Sequence, residues 1–358
     1  MSDKKNSIYM RRCFDLARLG NGKTSPNPSV GALIVTKDKI IGEGWHQEYG
    51  KAHAEVNAIA DIKSQNIPYM AESTIFVSLE PCFHFGKTPP CVELILKEKI
   101  PHVVIAFTDP NPNVASQSIE KLRNNNVSVD NLQNFSTKII DIYENTLKPF
   151  VISISKHRPY IILKWAESAD GYIGKENERM QISNEVSKRL VHKWRSECDA
   201  ILIGTQTAET DNPALNNRFY FGKSPVRVVL DKNGRLSLSL QIFDGTVKTI
   251  LYTESSASTS INNEKNVKNI DFKQIKFDKS LILNLLHDLF TQKIGILLVE
   301  GGAKTLQSFI ESGLWDEARI IKSPVLLRGS ISAPILPIQN LESRFPLDDN
   351  EILIYKNS

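Results

Sequence analysis

Apolar residues at Tyr9, Met10, Cys13, Phe14 and Ala17 recur at helical spacing, which predicts an amphipathic helix ending near Gly20. After a Pro-Asn-Pro turn at 26–28, the run Val30–Val35 predicts a strand and Lys39–Gly44 its hairpin partner. Alanines and apolar residues over His53–Ile62 suit a helix. A buried strand at Ser73–Leu79, a helix at Cys91–Lys99 and a strand at Val103–Phe107 follow, a β-α-β order that implies adjacent parallel strands under a covering helix. The stretch Asn111–Asn145 reads as two short helices and a polar strand region.

Pro149 and Pro159 bracket a changeover, and a second series begins beyond it. Strands are predicted at Tyr160–Lys164, Ala200–Ile203, Val226–Leu230, Val247–Tyr252 and Gly295–Glu300, and helices at Glu185–Glu197, Leu281–Thr291 and Ala303–Ser312. Thr253–Asn266, rich in Ser, Thr and Asn, reads as a solvated loop. At 358 residues the chain exceeds the size at which one hydrophobic core usually stops growing, so we divide it into domains 1–150 and 151–358. No internal repeat is present.

With 41% hydrophobic and 23% charged residues, the composition is that of a folded globular protein and excludes disorder. The net charge of +4, 44 basic minus 40 acidic side chains, permits a phosphorylated substrate and falls short of the basic stripe that nucleic-acid binding requires. Lys4, Lys5, Arg11 and Arg12 near the N-terminus lie outside any continuous apolar stretch, and no apolar run approaches the roughly 20 residues that span a bilayer. A cytoplasmic protein without a membrane partner is expected. Four cysteines in so long a chain do not make a disulfide scaffold, which favours metal binding.

Three candidate ligands stand out: His53, in the triplet His53-Ala54-Glu55, and Cys82 and Cys91, each after a proline. Imidazole and thiolates are donors that Zn²⁺ prefers, and three protein ligands leave a fourth position for water, as catalysis requires. Glu55, two residues past His53, is expected to point away from the ligand's own direction and to move protons as the catalytic carboxylate. Cys82 and Cys91 are both expected at helix starts, where the dipole favours thiolate. The pattern H-x-E followed by P-C-x-x-C marks zinc deaminases, but here eight residues, Phe83–Pro90, separate the cysteines where that pattern has two. Cys13 and Cys198 read as structural. In the second half no G-x-G-x-x-G follows a strand, so a Rossmann site is unsupported. Glu300-Gly301-Gly302, between a strand and a helix, reads equally as a phosphate-binding helix start or as a tight turn.

The segments SPNPSVGALIV (25–35), HAEVNA (53–58), SLEPCFHFGKTPPC (78–91), DPNPNVAS (109–116), LKWAESADGYIG (163–174), DAILIGTQTAETDNPALNNR (199–218), PVRVVLD (225–231) and VEGGAKTLQSF (299–309) resemble the bifunctional deaminase-reductases of riboflavin biosynthesis over nearly the whole chain. The resemblance implies an α/β protein: an N-terminal cytidine-deaminase-like α/β/α sandwich plus a C-terminal dihydrofolate-reductase-like α/β domain. It also implies two reactions on a small phosphorylated pyrimidine, with Zn²⁺ and NADPH as cofactors: hydrolytic deamination of a diaminopyrimidinone bearing a ribosylamino 5′-phosphate, then reduction of the ribosyl chain to ribityl.

By motif position, Asn27, His46, Lys87 and Thr88 would surround the pyrimidine. Ala166, Thr207, Asp211 and the run Gly302, Ala303, Lys304, Thr305, Leu306, Gln307 and Ser308 would contact NADPH. Arg195, Leu215, Arg218 and Glu300 would contact the second substrate, the two arginines suiting a phosphate by bidentate pairing. Each arginine reads alternatively as a solvated helix end or a loop cation. The family often has tryptophan where this chain has Gln181, before Ile182-Ser183, so the resemblance implies that an aromatic contact to the cofactor is lost here. Two other readings compete: a nucleoside or tRNA zinc deaminase with an accessory C-terminal domain, and a non-catalytic zinc module, against which a free Glu55 argues. Self-association is left open.

Overall fold

The computed structural model describes residues 3–357 except 86–88, 112–114, 133–136, 177, 179, 255–267 and 338–339. The chain forms two compact units, Met1–His157 and Arg158–Ser358. The first comprises α1 (Asp3–Arg18), β1 (Gly31–Thr36), β2 (Lys39–Trp45), α2 (Ala54–Ala60), a 3₁₀ segment (Ser64–Glu72), β3 (Thr74–Val77), α3 (Cys91–Lys97), β4 (His102–Ile105), α4 (Gln117–Asn124), β5 (Ser128–Asn131) and α5 (Thr137–Lys156).

Its five strands lie in the order β2-β1-β3-β4-β5. β2, β1 and β3 pair antiparallel, and β3, β4 and β5 pair parallel. Successive strand residues point to opposite faces, and here both faces are covered. Ala32, Ile34, Ile75, Val77, Val103 and Ile105 pack with Ala54, Ala58, Val92, Ile95 and Leu122 from α2, α3 and α4. Leu33, Val35, Phe76 and Val104 face the other way, onto Tyr9, Met10, Cys13, Phe14 and Ala17 of α1 and Leu147 of α5. This is the expected α/β/α sandwich, and the apolar runs at β1, β3 and β4 are continuous because each strand is buried on both sides.

The stretch after Asn111 departs from expectation: in place of a second short helix, α5 runs for 20 residues with Pro149 inside it. Proline removes a single backbone N–H, so the flanking turns hold the helix together. The sequence-based cut at residue 150 therefore falls within α5, and the units separate at His157/Arg158.

The second unit contains β6 (Tyr160–Glu167), β7 (Tyr172–Gly174), α6 (Glu185–Glu197), β8 (Ala200–Gly204), α7 (Thr205–Asp211), β9 (Val226–Leu230), β10 (Thr249–Thr253), β11 (Ile270–Gln274), α8 (Leu281–Thr291), β12 (Ile296–Val299), α9 (Ala303–Ser312), β13 (Glu317–Lys322), β14 (Ile331–Ser332), β15 (Asn340–Leu347) and β16 (Asn350–Lys356). Nine strands form one sheet, β11-β10-β9-β8-β12-β6-β13-β16-β15, parallel as far as β13 and closed by an antiparallel hairpin, as a dihydrofolate-reductase-like domain requires. Arg158, at its start, is anchored in the interior by a bidentate pair with Asp316 (2.6 and 2.7 Å). The elements β7, β11, β13, β14, β15, β16 and α7 were not among those expected from the sequence. The loop expected at 253–266 lies largely outside the described residues; Thr253 itself ends β10.

Gly31 decides how closely α1 approaches the sheet, because a Cβ there would stand 2.0 Å from Cys13 O and 2.9 Å from Ala17 N. The obstacle is helix backbone, which cannot rotate away. Gly31→Ala is expected to destabilise the protein by roughly 3 kcal/mol, the upper end of ordinary overpacking, measured as a lowered urea midpoint; an unchanged midpoint contradicts this packing.

Candidate functional site

His53 is the residue before α2, in extended conformation (φ −74°, ψ 170°), and Cys91 is the first residue of α3. Cys82 lies in irregular backbone beyond the C-terminal end of β3, so of the two cysteines expected at helix starts only Cys91 occupies one. The three converge: His53 Nδ1 is 3.4 Å from Cys82 Sγ and 3.4 Å from Cys91 Sγ, and all three donor atoms lie within 4.8 Å of one another. The Cys91 backbone N–H donates to Cys82 Sγ at 3.2 Å. Among the described residues these form the one cluster of metal-ligating type. An imidazole and two thiols at this spacing fit a tetrahedral zinc ion with one position left over.

The electrostatics agree with that fit. Hydrogen bonding from Cys91 and His53 pulls the Cys82 thiol down to about 4, and the same bond to Cys82, with burial, pushes Cys91 well up. A divalent ion held by these residues would favour the thiolate form of both cysteines. The bond to Cys82 raises His53.

Glu55, 3% exposed, faces the same cluster: burial and then the field of Cys82 push its carboxyl up to about 7, while a hydrogen bond with Cys91 opposes this. Two residues apart on one helix would diverge. They share a site because His53 precedes the helix and Glu55 is its second residue.

Asn27 and His46 join the same neighbourhood. His46 stacks edge-on against His53 with ring centroids 5.1 Å apart. Its Nδ1 donates to Ala52 O at 3.1 Å, so Nε2 accepts from Asn27 Nδ2 at 3.4 Å, and burial lowers its pKa in keeping with that neutral form. Lys87 and Thr88 lie outside the described residues. Glu80 and Asp109 were missed as site residues, although both fall in segments quoted above. Burial raises Asp109, with Glu80 and Cys82 adding to the rise and His84 opposing it.

In the second unit a cavity of about 300 Å³ is lined by Arg195, Asn212, Pro213, Ala214, Leu215, Arg218 and Gln241, which brings three of the four candidate substrate residues together. Leu215 holds φ +48°, a left-handed conformation unfavourable for leucine, while Asn212 at φ +40° is the left-handed C-cap of α7. The fourth candidate, Glu300, grips Arg195 in a fork (3.0 and 2.8 Å), the two side chains being 7% and 12% exposed.

Arg195 is therefore no solvated helix end, and its fork is occupied within the protein, which corrects the idea that both arginines pair with phosphate. Arg218, whose backbone N–H donates to His192 Nδ1 at 3.1 Å, is exposed. Lys164 also belongs to this cluster: burial lowers it while Glu300 raises it. Its sequence signals are a lone cation inside an apolar strand and a place in the quoted segment 163–174.

Gly301 and Gly302 are required by packing. A Cβ at Gly301 would meet Ile203 Cα at 2.6 Å, and Gly302 holds φ +63° with Thr207 Oγ1 3.1 Å from where its Cβ would be. Thr305 Oγ1 likewise stands 2.7 Å from the Cβ position of Gly204. The run 302–308 cannot present every side chain to one ligand, since Leu306 turns into the core with Phe309 while Lys304 and Ser308 face out. Ala166 packs towards Val191, Trp194 and Ile321, Asp211 ends α7, and Gln181 bonds to Ser183 O and Glu185.

A deaminase-type α/β/α unit carrying this trio, joined to a dihydrofolate-reductase-like unit, defines a two-domain deaminase and reductase. Residues 3–107 match the cytidine and deoxycytidylate deaminase zinc-binding region, and residues 159–352 match the RibD C-terminal domain. The riboflavin biosynthesis protein RibD of Aquifex aeolicus is 35% identical over 346 residues, 93% of this chain and 91% of that one. That of Bacillus amyloliquefaciens is 34% identical over 94% of this chain and 89% of its own.

Among solved structures, Acinetobacter baumannii RibD superposes with a TM-score of 0.87 at 29% identity over 100% of both chains. A Thermotoga maritima diaminohydroxyphosphoribosylaminopyrimidine deaminase/5-amino-6-(5-phosphoribosylamino)uracil reductase gives 0.86 at 28% identity over 99% of both. The chain belongs to the RibD family, the bifunctional deaminase-reductases of riboflavin biosynthesis. A deaminase with a merely accessory C-terminal domain is thereby disfavoured. No helix among the described residues is long and apolar enough to cross a membrane.

Zinc-loaded protein is expected to keep a bound ion through gel filtration, and Cys82→Ala and Cys91→Ala to lose it, as read by elemental analysis. Full retention by both variants places the ion elsewhere.

Proposed function

We propose that the first unit hydrolytically deaminates 2,5-diamino-6-ribosylamino-4(3H)-pyrimidinone 5′-phosphate and that the second reduces the ribosyl chain of the product with NADPH. The observation that carries the reading is the convergence of His53, Cys82 and Cys91 beside a buried carboxyl at Glu55. His53, Cys82 and Cys91 would hold Zn²⁺, whose Lewis acidity makes water nucleophilic near neutral pH. Glu55, lifted to about 7, can both accept and return a proton there. It takes the proton that the attacking water gives up as the C–O bond forms and delivers it to the amino group, after which the C–N bond breaks and ammonia leaves. His46 and Asn27 border the ring, with Lys87 and Thr88 as further contacts.

In the second unit NADPH supplies the hydride. The start of α9 at Gly302, with Thr207, Thr305 and Asp211, would hold the cofactor, and Ala166 would border it. Leu215 and Arg218 would hold the sugar phosphate, Arg218 as the phosphate cation and Arg195 as a wall fixed by Glu300. The weakly positive charge balance suits such a substrate and no nucleic acid. A cytoplasmic location fits the reducing conditions that keep both thiols available.

Glu55→Gln is expected to retain zinc and to lose deamination by roughly 10²–10⁴-fold, assayed as ammonia release. Normal turnover by that variant removes Glu55 from the role. Gly302→Val is expected to raise the KM for NADPH at least about tenfold, because both its φ and Thr207 oppose a side chain, while deamination is unchanged. An unaltered KM for NADPH puts the cofactor elsewhere.

A further inference from the structure

The backbone at Asp109 and at Ser116 is fastened to the first unit through one buried side chain. Glu80 is 4% exposed and stands two residues before Cys82. Its Oε2 accepts from the backbone N–H of Asp109 at 3.1 Å and of Ser116 at 3.0 Å, and its Oε1 accepts from Ser118 Oγ at 2.6 Å. The Glu80 N–H in turn donates to Phe107 O at 2.8 Å. The two ends of the segment are also tied to each other: Asn111 N donates to Asp109 Oδ1 at 2.8 Å, and Ala115 N to Asn111 O at 2.9 Å. Ser116 holds φ +66°, a left-handed conformation unfavourable for serine, which aims its N–H at Glu80.

This arrangement does more than close a loop. Glu80 stands two residues before Cys82, so the backbone amides it holds at Asp109 and Ser116 are tied to the same stretch of chain that carries a ligating sulfur. Glu80 and Cys82 share one short stretch of backbone, and a wall hung on Glu80 keeps its distance from Cys82. A carboxylate accepting three donors is worth more in a buried place than in water, which makes that wall stiff.

We propose that Glu80 is a positioning residue for deamination: it holds Asp109–Asn111 and Ser116 as a rigid wall beside Cys82, against which the pyrimidine binds. Losing Glu80 then weakens substrate binding and leaves the bond-breaking groups in place. This rests on the deaminase reading proposed above.

The test uses the full-length, zinc-loaded protein. Glu80→Ala is expected to raise the KM of deamination about tenfold with kcat within about threefold of wild type. Amide hydrogen exchange at Ser116 should accelerate, while zinc content and the absorption spectrum of the cobalt-substituted protein stay as in wild type. Glu80→Gln keeps an acceptor oxygen for the two backbone amides and is expected to restore most of the KM.

A purely structural residue would lower the melting temperature and leave the KM of the folded protein unchanged, and that result overturns the inference alone. Should Glu80→Ala not accumulate folded, Ser118→Ala decides: a KM raised about threefold supports the wall, and an unchanged KM overturns it. Zinc-loaded wild type that releases no ammonia overturns the deaminase reading, and this inference with it.

Discussion

Two thiols and an imidazole held within 4.8 Å in a mostly buried place cannot behave as three independent groups. Two thiolates side by side repel, and burial sharpens the repulsion, so a proton or a cation has to sit among them. The first unit is arranged around that requirement. β2 lies directly on the backbone of α2, since a Cβ at Gly44 would meet Ala58 N at 2.2 Å and Ala54 O at 2.4 Å, and this contact sets where His53 emerges. The parallel pair β3-β4 directs the Cys82 loop to the same end of the sheet, and the start of α3 adds Cys91 with its N–H already donated to Cys82. Glu55 then gains its proton affinity from the burial that the packing imposes and from the neighbouring sulfur.

The second unit solves a different problem, the placement of charge in an interior. Arg195 and Glu300 are both nearly enclosed, and each is tolerable only because the other neutralises it through two hydrogen bonds. The pair fixes one wall of the cavity, while Arg218 at its rim stays exposed. The glycines at 301 and 302 let the start of α9 press against Ile203 and Thr207. Close backbone packing of this kind leaves little trace in a motif.

Much of the architecture was legible in the chain. Strands buried on both faces, such as Gly31–Thr36 and Thr74–Val77, announce themselves as unbroken apolar runs, and α6, α8 and α9 match their predicted bounds because their apolar stripes are regular. The strands that escaped carry charge. Glu317–Lys322 reads as polar, yet Glu317 is buried with Arg319 at 2.5 Å, Lys356 at 2.7 Å and the Tyr160 hydroxyl at 3.0 Å around it. Partners 39 and 157 residues away pay for that burial, and no local window contains them. Pro149 misled in the other direction, since a proline that ends most helices is carried by a long one.

His53, Glu55, Cys82 and Cys91 were singled out by sequence alone because few residue types suit zinc ligation and proton transfer, and their spacing survives as a pattern. Tertiary structure decided the rest: that Glu55 turns towards the cluster because the histidine stands outside the helix, that Arg195 is spoken for by Glu300, and that Glu80 ties a distant stretch of backbone to the chain leading into Cys82. A motif records which atoms a site needs, whereas burial and pairing arise between segments far apart in the chain and exist only once it has folded.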